Sequence, residues 1–157
     1  MMGSRSEVCA LLFGVCMAML AGCSGPVVKP QVQVDPALAA TLAEQGRQAL
    51  EEGNAGAAKR AWRQAVELNP EDPVVVNNLA LLLVEDRSFV EATSLLERGL
   101  EHSPRVAELH YNLGVIAELY LLDLQKALVH YQRYRELSEA EDQAVAGWIA
   151  DLERRLD

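Results

Sequence analysis

From residue 37 onward, apolar side chains return every third or fourth position and polar ones fill the gaps. That is the period of amphipathic helices, whose apolar stripe faces a core. The spacing predicts helices at 37–52, 56–68, 73–86, 89–102, 105–120, 124–137 and 140–156. No segment shows a convincing alternation with the period of two that a half-buried strand requires. The expected fold class is therefore all-α. Local signals mark the helix starts. Asp35-Pro36, Asp72-Pro73 and Ser103-Pro104 each set a capping side chain before a proline suited to the first helical position. Ser88 with Glu91, and Ser138 with Glu141, have the spacing of a capping box. In the last helix Val145, Trp148, Ile149, Leu152 and Leu156 form one apolar stripe, with Asp142, Gln143, Asp151, Glu153, Arg154 and Arg155 on the other face.

The helices come in a repeat. Asn69-Pro70 and Ser103-Pro104 close similar runs and lie 34 residues apart. Residues 39–72 and 73–106 align without a gap, and 107–138 aligns after one inserted residue near Leu121-Leu122. A small residue recurs at the eighth position (Gly46, Ala80, Gly114) and alanine at the twentieth (Ala58, Ala92, Ala127). A large residue recurs at the twenty-fourth (Trp62, Leu96, Tyr131). This pattern resembles the tetratricopeptide repeat family. The resemblance implies an α-solenoid of three helix-turn-helix repeats, in which the small residues let paired helices approach and the large one fills the gap between repeats. Gln45, Leu96, Tyr134 and the absence of a closing proline at Ser138 depart from the family pattern. Residues 139–157 then form a C-terminal capping helix, because a stack of repeats must end on an element that is polar outside. The sharper alternative is a docking helix anchored by Trp148.

The family's working surface is the concave groove lined by the first helix of each repeat. Carried over by position, the resemblance assigns to it Ala43, Glu44, Arg47 and Leu50 from the first repeat. The second contributes Val74, Asn77, Asn78, Leu81 and Glu85, and the third Glu108, Tyr111, Asn112, Val115 and Glu118. Arg47, Asn77, Asn78, Leu81, Tyr111, Asn112 and Val115 are the expected peptide-contacting set. An amide both donates and accepts, so Asn78 and Asn112 suit the backbone of an extended ligand. The family's carboxylate-clamp variety places lysine where Ala43 stands and asparagine where Arg47 stands. With Glu44, Glu85, Glu108 and Glu118 also present, the groove is expected to accept a neutral or basic segment.

The amino terminus reads as an address label. Val8 to Leu20 is a run of 13 residues without a charge, the length of a signal-peptide core and too short to span a bilayer. It is followed by Leu20-Ala21-Gly22-Cys23, which resembles the lipobox of bacterial lipoproteins. The resemblance implies cleavage of residues 1–22 and a covalent lipid on Cys23, an anchor of two or more chains that holds a membrane stably. Ser24 in the next position matches the lipoprotein pattern for the outer membrane, facing the periplasm. Residues 23–36 carry three prolines and read as an extended tether of about 3.1 Å per residue.

Composition narrows the chemistry. The 157 residues carry a formal charge of −9, which argues against a nucleic acid partner. The processing that the lipobox resemblance implies would remove Cys9 and Cys16 and lipidate Cys23, leaving no thiol for a disulfide, a nucleophile or a metal. His102, His110 and His130 have no metal-ligand spacing, and His110 falls at a core position of its repeat. No phosphate loop, dinucleotide fingerprint or nucleophile elbow is present. The expectation is a non-catalytic chain with no catalytic residues, no metal and no cofactor beyond its lipid. Its expected role is to bind an envelope protein or peptide segment as an adaptor or assembly factor. Resemblance to short repeat lipoproteins of type IV and tight-adherence pilus assembly and of secretion systems points to such a machine. The alternatives are a self-associating structural lipoprotein and an accessory of cell-wall or polysaccharide enzymes.

Overall fold

The computed structural model describes residues 35–157. The signal segment 1–22, Cys23 and nearly all of the tether lie outside the described residues. Among the described residues seven α-helices follow one another: α1 Pro36–Glu51, α2 Ala55–Leu68, α3 Pro73–Glu85, α4 Phe89–His102, α5 Ala107–Ile116, α6 Leu124–Leu137 and α7 Gln143–Leu156. A π-helical turn, Ala117–Leu121, continues α5. No strand occurs among the described residues. Helices pair in chain order, α1 with α2, α3 with α4, α5 with α6, and α7 packs on α6. Contacts between α2 and α3 and between α4 and α5 stack the pairs, and α3 also meets α5 directly.

The repeat register explains this packing. Within each pair the eighth and twenty-fourth positions meet. Trp62 is buried over Gly46, where a Cβ would come within 2.3 Å of the indole, and its Nε1 donates to Ala43 O at 3.0 Å. Tyr131 is buried over Gly114, where a Cβ would lie 2.5 Å from the ring, and its hydroxyl donates to Glu118 at 3.1 Å. Leu96 fills the same place in the middle repeat and is fully buried despite departing from the aromatic pattern. The polar end of each ring thus keeps a hydrogen bond while its apolar body is removed from water.

Two buried clusters result. One joins α2 through α5 around Trp62, Val76, Leu79, Leu83, Leu96, Leu109 and Leu113. The other joins the turn after α5 to α6 and α7 around Ala117, Tyr131, Val145, Ile149 and Leu152. Gln45 departs from the repeat pattern for a physical reason. Its equivalents Leu79 and Leu113 are buried, whereas among the described residues no helix packs on the outer side of α1, and Gln45 faces solvent.

The helix starts hold in part. Asp35, Asp72 and Asp142 cap α1, α3 and α7 by accepting backbone N–H groups at 3.0–3.2 Å. Ser103 does not cap α5, which starts at Ala107. It ends α4, as Asn69 ends α2, and its hydroxyl donates to Glu71 O at 3.3 Å. The alignment with Asn69-Pro70 outweighs the local serine–proline signal. Ser88 stands at the start of α4 without a side-chain cap bond; its backbone N–H donates to Leu83 O at 2.8 Å, and Glu91 pairs with Arg63 at 2.6 Å. Ser138 ends α6, donating to Tyr134 O at 2.9 Å, so α7 begins at Gln143 instead of Ala140. The inserted residue of the third repeat is absorbed by the π turn. It ends on Leu122 in the left-handed region (φ 55°), where the first repeat has Gly53 and the second Arg87.

Candidate functional site: the first-helix groove

Counting from the residue after each cap puts α3, α5 and α7 in one register. Buried side chains fall at the third, seventh and tenth positions of all three: Val75, Leu79, Leu82; Leu109, Leu113, Ile116; Val145, Ile149, Leu152. The last helix therefore repeats the first-helix register a fourth time, with no second helix paired to it among the described residues. Its sixth position is Trp148, in line with Asn78 and Asn112. The ring is 37% exposed, and Leu156 is 40% exposed, so the stripe read from the sequence is only partly covered.

The expected groove residues are brought together with different degrees of freedom. Asn112 Nδ2 donates to Asn77 Oδ1 at 2.6 Å, joining α5 to α3. Each amide keeps its other group for a ligand. Asn78 lines a depression of about 260 Å³ together with Ala40, Ala43, Glu44, Arg47 and Val74. Leu81 and Val74 project into solvent, 43% and 65% exposed. Tyr111 and Val115 are half-buried, because both pack against the second apolar cluster. Tyr111 meets Tyr134 at 5.2 Å and Trp148 at 6.3 Å between ring centroids, and Tyr131 meets Trp148 at 5.4 Å.

Three charges expected in the groove, Arg47, Glu44 and Glu118, are already occupied. Arg47 Nε donates to Glu44 at 2.9 Å and its terminal nitrogens pair with Glu44 and Glu51. That hydrogen bonding holds the Glu44 carboxyl below its ordinary value. Glu118 accepts from the Tyr131 hydroxyl and lies 3.7 Å from Arg155, which also meets Asp151 at 3.4 Å. Burial, reinforced by Glu118, pushes the Tyr131 phenol well above its usual value. Glu85 and Glu108 make no ion pair among the described residues.

Three features were missed by sequence reasoning. His110 is buried as expected, yet it meets His130, 20 positions away, Nδ1 to Nδ1 at 2.9 Å. A carbonyl only accepts, so His110 Nε2–H donates to Pro104 O at 3.2 Å, which leaves His110 Nδ1 to accept from His130. Burial lowers both imidazoles, His130 to about 4. No group of three potential metal ligands occurs among the described residues. The second feature is an apolar edge at the third turn. Leu119, Tyr120, Leu122 and the nearby Val90 are exposed, with Tyr120 stacked on Phe89 at 4.2 Å. The equivalent turns of the first two repeats are polar, and that contrast was readable. The third is a cavity of about 470 Å³ between α2 and α4. It has an apolar floor of Leu79, Leu83 and Leu95 and a rim where Arg63 pairs with Glu91. It lies apart from the groove residues, and Glu67, Arg98, Glu101 and His102 complete its lining. No described helix is long and apolar enough to cross a membrane.

Comparison with known proteins agrees with this architecture. Residues 49–113 match the Tetratricopeptide repeat family. No curated protein matches the chain. Among solved structures, the first TPR of Spaghetti (RPAP3) bound to the HSP90 peptide SRMEEVD superposes with a TM-score of 0.69 at 21% identity, covering 79% of this chain and 97% of that one. The first TPR domain of human RPAP3 gives 0.65 at 20% identity, covering 78% and 94%. The N-terminal domain of stress-induced protein-1 from C. elegans gives 0.63 at 20%, covering 73% and 94%. The described residues are a tetratricopeptide-type α-solenoid, a fold that typically serves as a non-catalytic scaffold for protein binding.

Proposed function

We propose that this chain is a lipid-anchored adaptor that holds an extended segment of another envelope protein in its first-helix groove. The observation that carries the reading is the Asn77–Asn112 amide pair, flanked on the same face by exposed Leu81, Val74 and Trp148. A rigid surface with spare donors and acceptors beside exposed apolar side chains suits an extended backbone. Leu20-Ala21-Gly22-Cys23 supports lipidation at Cys23, and Ser24 supports an outer-membrane, periplasm-facing position. Anchoring raises the local concentration of the groove, so a modest affinity suffices. A pilus or secretion-assembly machine is the setting its layout resembles. The groove does not suit an acidic tail like that of the Spaghetti complex, because Arg47 is neutralised by Glu44 and Glu51. The chain is a binding protein that needs no cofactor, metal or catalytic residue.

The test is crosslinking in intact cells followed by affinity capture, wild type against Asn78→Ala/Asn112→Ala. A protein captured by the wild type and lost in the variant, at equal expression and export, supports the adaptor. One retained in the variant contradicts the groove. Lipidation is read separately by metabolic labelling with a fatty acid, which Cys23→Ala must abolish.

The exposed edge of Leu119, Tyr120 and Leu122 favours a second reading, self-association of a structural lipoprotein. Light scattering against concentration decides it, since Leu119→Ser/Leu122→Ser must then lower the mass.

A further inference from the structure

We infer that the C-terminal end of the groove receives a positively charged side chain of the bound segment, with Trp148 and Tyr111 supplying the aromatic faces. This inference rests on the groove reading above and specifies the partner's chemistry.

The register places Trp148 in the groove. It occupies the sixth position of α7, as Asn78 and Asn112 do in α3 and α5. A residue that served only to seal the end of the solenoid would be covered like its neighbours. Val145, Ile149 and Leu152 on the same helix are at most 2% exposed, whereas Trp148 keeps more than a third of its surface in water. Its ring is nevertheless held in place. The Tyr131 ring centroid lies 5.4 Å from that of Trp148 and the Tyr111 centroid 6.3 Å, and Tyr111 is backed by Tyr134, whose hydroxyl donates to Asp142 at 3.4 Å. An exposed indole fixed by other rings is a preorganised platform.

Charge selects what lands on it. The arginine of the groove and those at the end of α7 are engaged by carboxylates of the chain itself: Arg47 by Glu44 and Glu51, Arg154 by Asp151, Arg155 by Asp151 and Glu118. Glu85 and Glu108 carry no such partner among the described residues, and the whole chain has a formal charge of −9. The groove helices α3 and α5 therefore carry unpaired carboxylates, on a chain that is negative as a whole. Indole is the strongest aromatic acceptor of a cation, and a guanidinium also stacks flat on it. The occupant that satisfies both terms is an arginine, or less well a lysine, in an extended segment whose backbone lies along Asn77, Asn112 and Asn78.

The test uses the full-length chain in detergent micelles and short extended peptides of one serine–valine host. They differ only at a central arginine, norleucine or glutamate. The arginine peptide is expected to bind about three- to tenfold tighter than the norleucine peptide, with the glutamate peptide weakest. Trp148→Ala removes the arginine preference and Trp148→Phe keeps part of it, with helix content unchanged by circular dichroism. Equal binding of arginine and norleucine peptides, or a preference that survives Trp148→Ala, overturns the inference. The groove reading survives that loss if binding still falls in Asn78→Ala/Asn112→Ala. Binding indifferent to all these substitutions, or no binding by any of the three peptides, overturns both.

Discussion

Asn112 donates to Asn77 at 2.6 Å, and through that bond the second and third repeats are joined on the face expected to receive a ligand. The bond has a measurable signature. Asn77→Ala and Asn112→Ala each remove one partner of a half-buried pair, at a cost of about 1 kcal/mol. The double variant costs less than the sum of the two, with a coupling of about 0.5–1 kcal/mol by chemical denaturation. Strict additivity would contradict a direct bond.

The close approach of paired helices at Gly46 and Gly114 sets the second prediction. An added methyl at either position meets a buried ring at 2.3–2.5 Å, and the ring cannot retreat. Gly46→Ala and Gly114→Ala are each destabilising by about 2 kcal/mol, even after the helix-propensity gain of alanine. Gly147 is the control. It lies inside α7 with no atom near its absent Cβ, so Gly147→Ala raises stability by about 0.5–1 kcal/mol. Thermal unfolding of the three variants checks the sign of each.

The third turn carries a conformational cost. Leu122 is left-handed at φ 55° and 75% exposed, so its side chain gains little from burial. Leu122→Gly removes about 1 kcal/mol of backbone strain and is expected to raise the melting temperature by a few degrees. A lower melting temperature would mean that Leu122 is covered in the assembled protein.

Stability should also fall in acid through the histidine pair. Burial, aided by the charges of His110 and Lys126 and opposed by Glu97, holds His130 at about 4. The folded value lies below the ordinary 6.5, so the unfolded chain takes up the proton first as pH falls. The contribution is complete above about pH 7 and is lost progressively as pH falls from 6.5 to 4. His130→Gln is expected to flatten the stability–pH curve over that range. An unchanged slope would assign acid sensitivity to the carboxylates instead.

Much of the fold was legible because the repeat is nearly regular. A 34-residue period places Trp62, Leu96 and Tyr131 at one position and Gly46, Ala80 and Gly114 at another, and these residues pack against each other in pairs. α4 and α6 fall on their expected bounds, and the insertion appears where the alignment put it, as a π turn. What failed was local. Ser103 and Ser138 look like caps in isolation, but both end helices, because aspartates or backbone geometry begin the next ones. The candidate groove was legible as a row of positions. Its electrostatics were not, since the capture of Arg47 by Glu44 and Glu51 depends on rotamers that spacing leaves open. The His110–His130 contact and the exposure of Trp148 arise from how α6 and α7 dock, which no single repeat encodes.

The most direct test of the central claim places a photoreactive residue in the groove at Leu81 and, separately, on α4 at exposed Ser94, in intact cells. The account predicts that position 81 captures a distinct envelope protein and position 94 does not. Capture of that protein from position 94 alone, or of nothing but the chain itself from position 81, would contradict it.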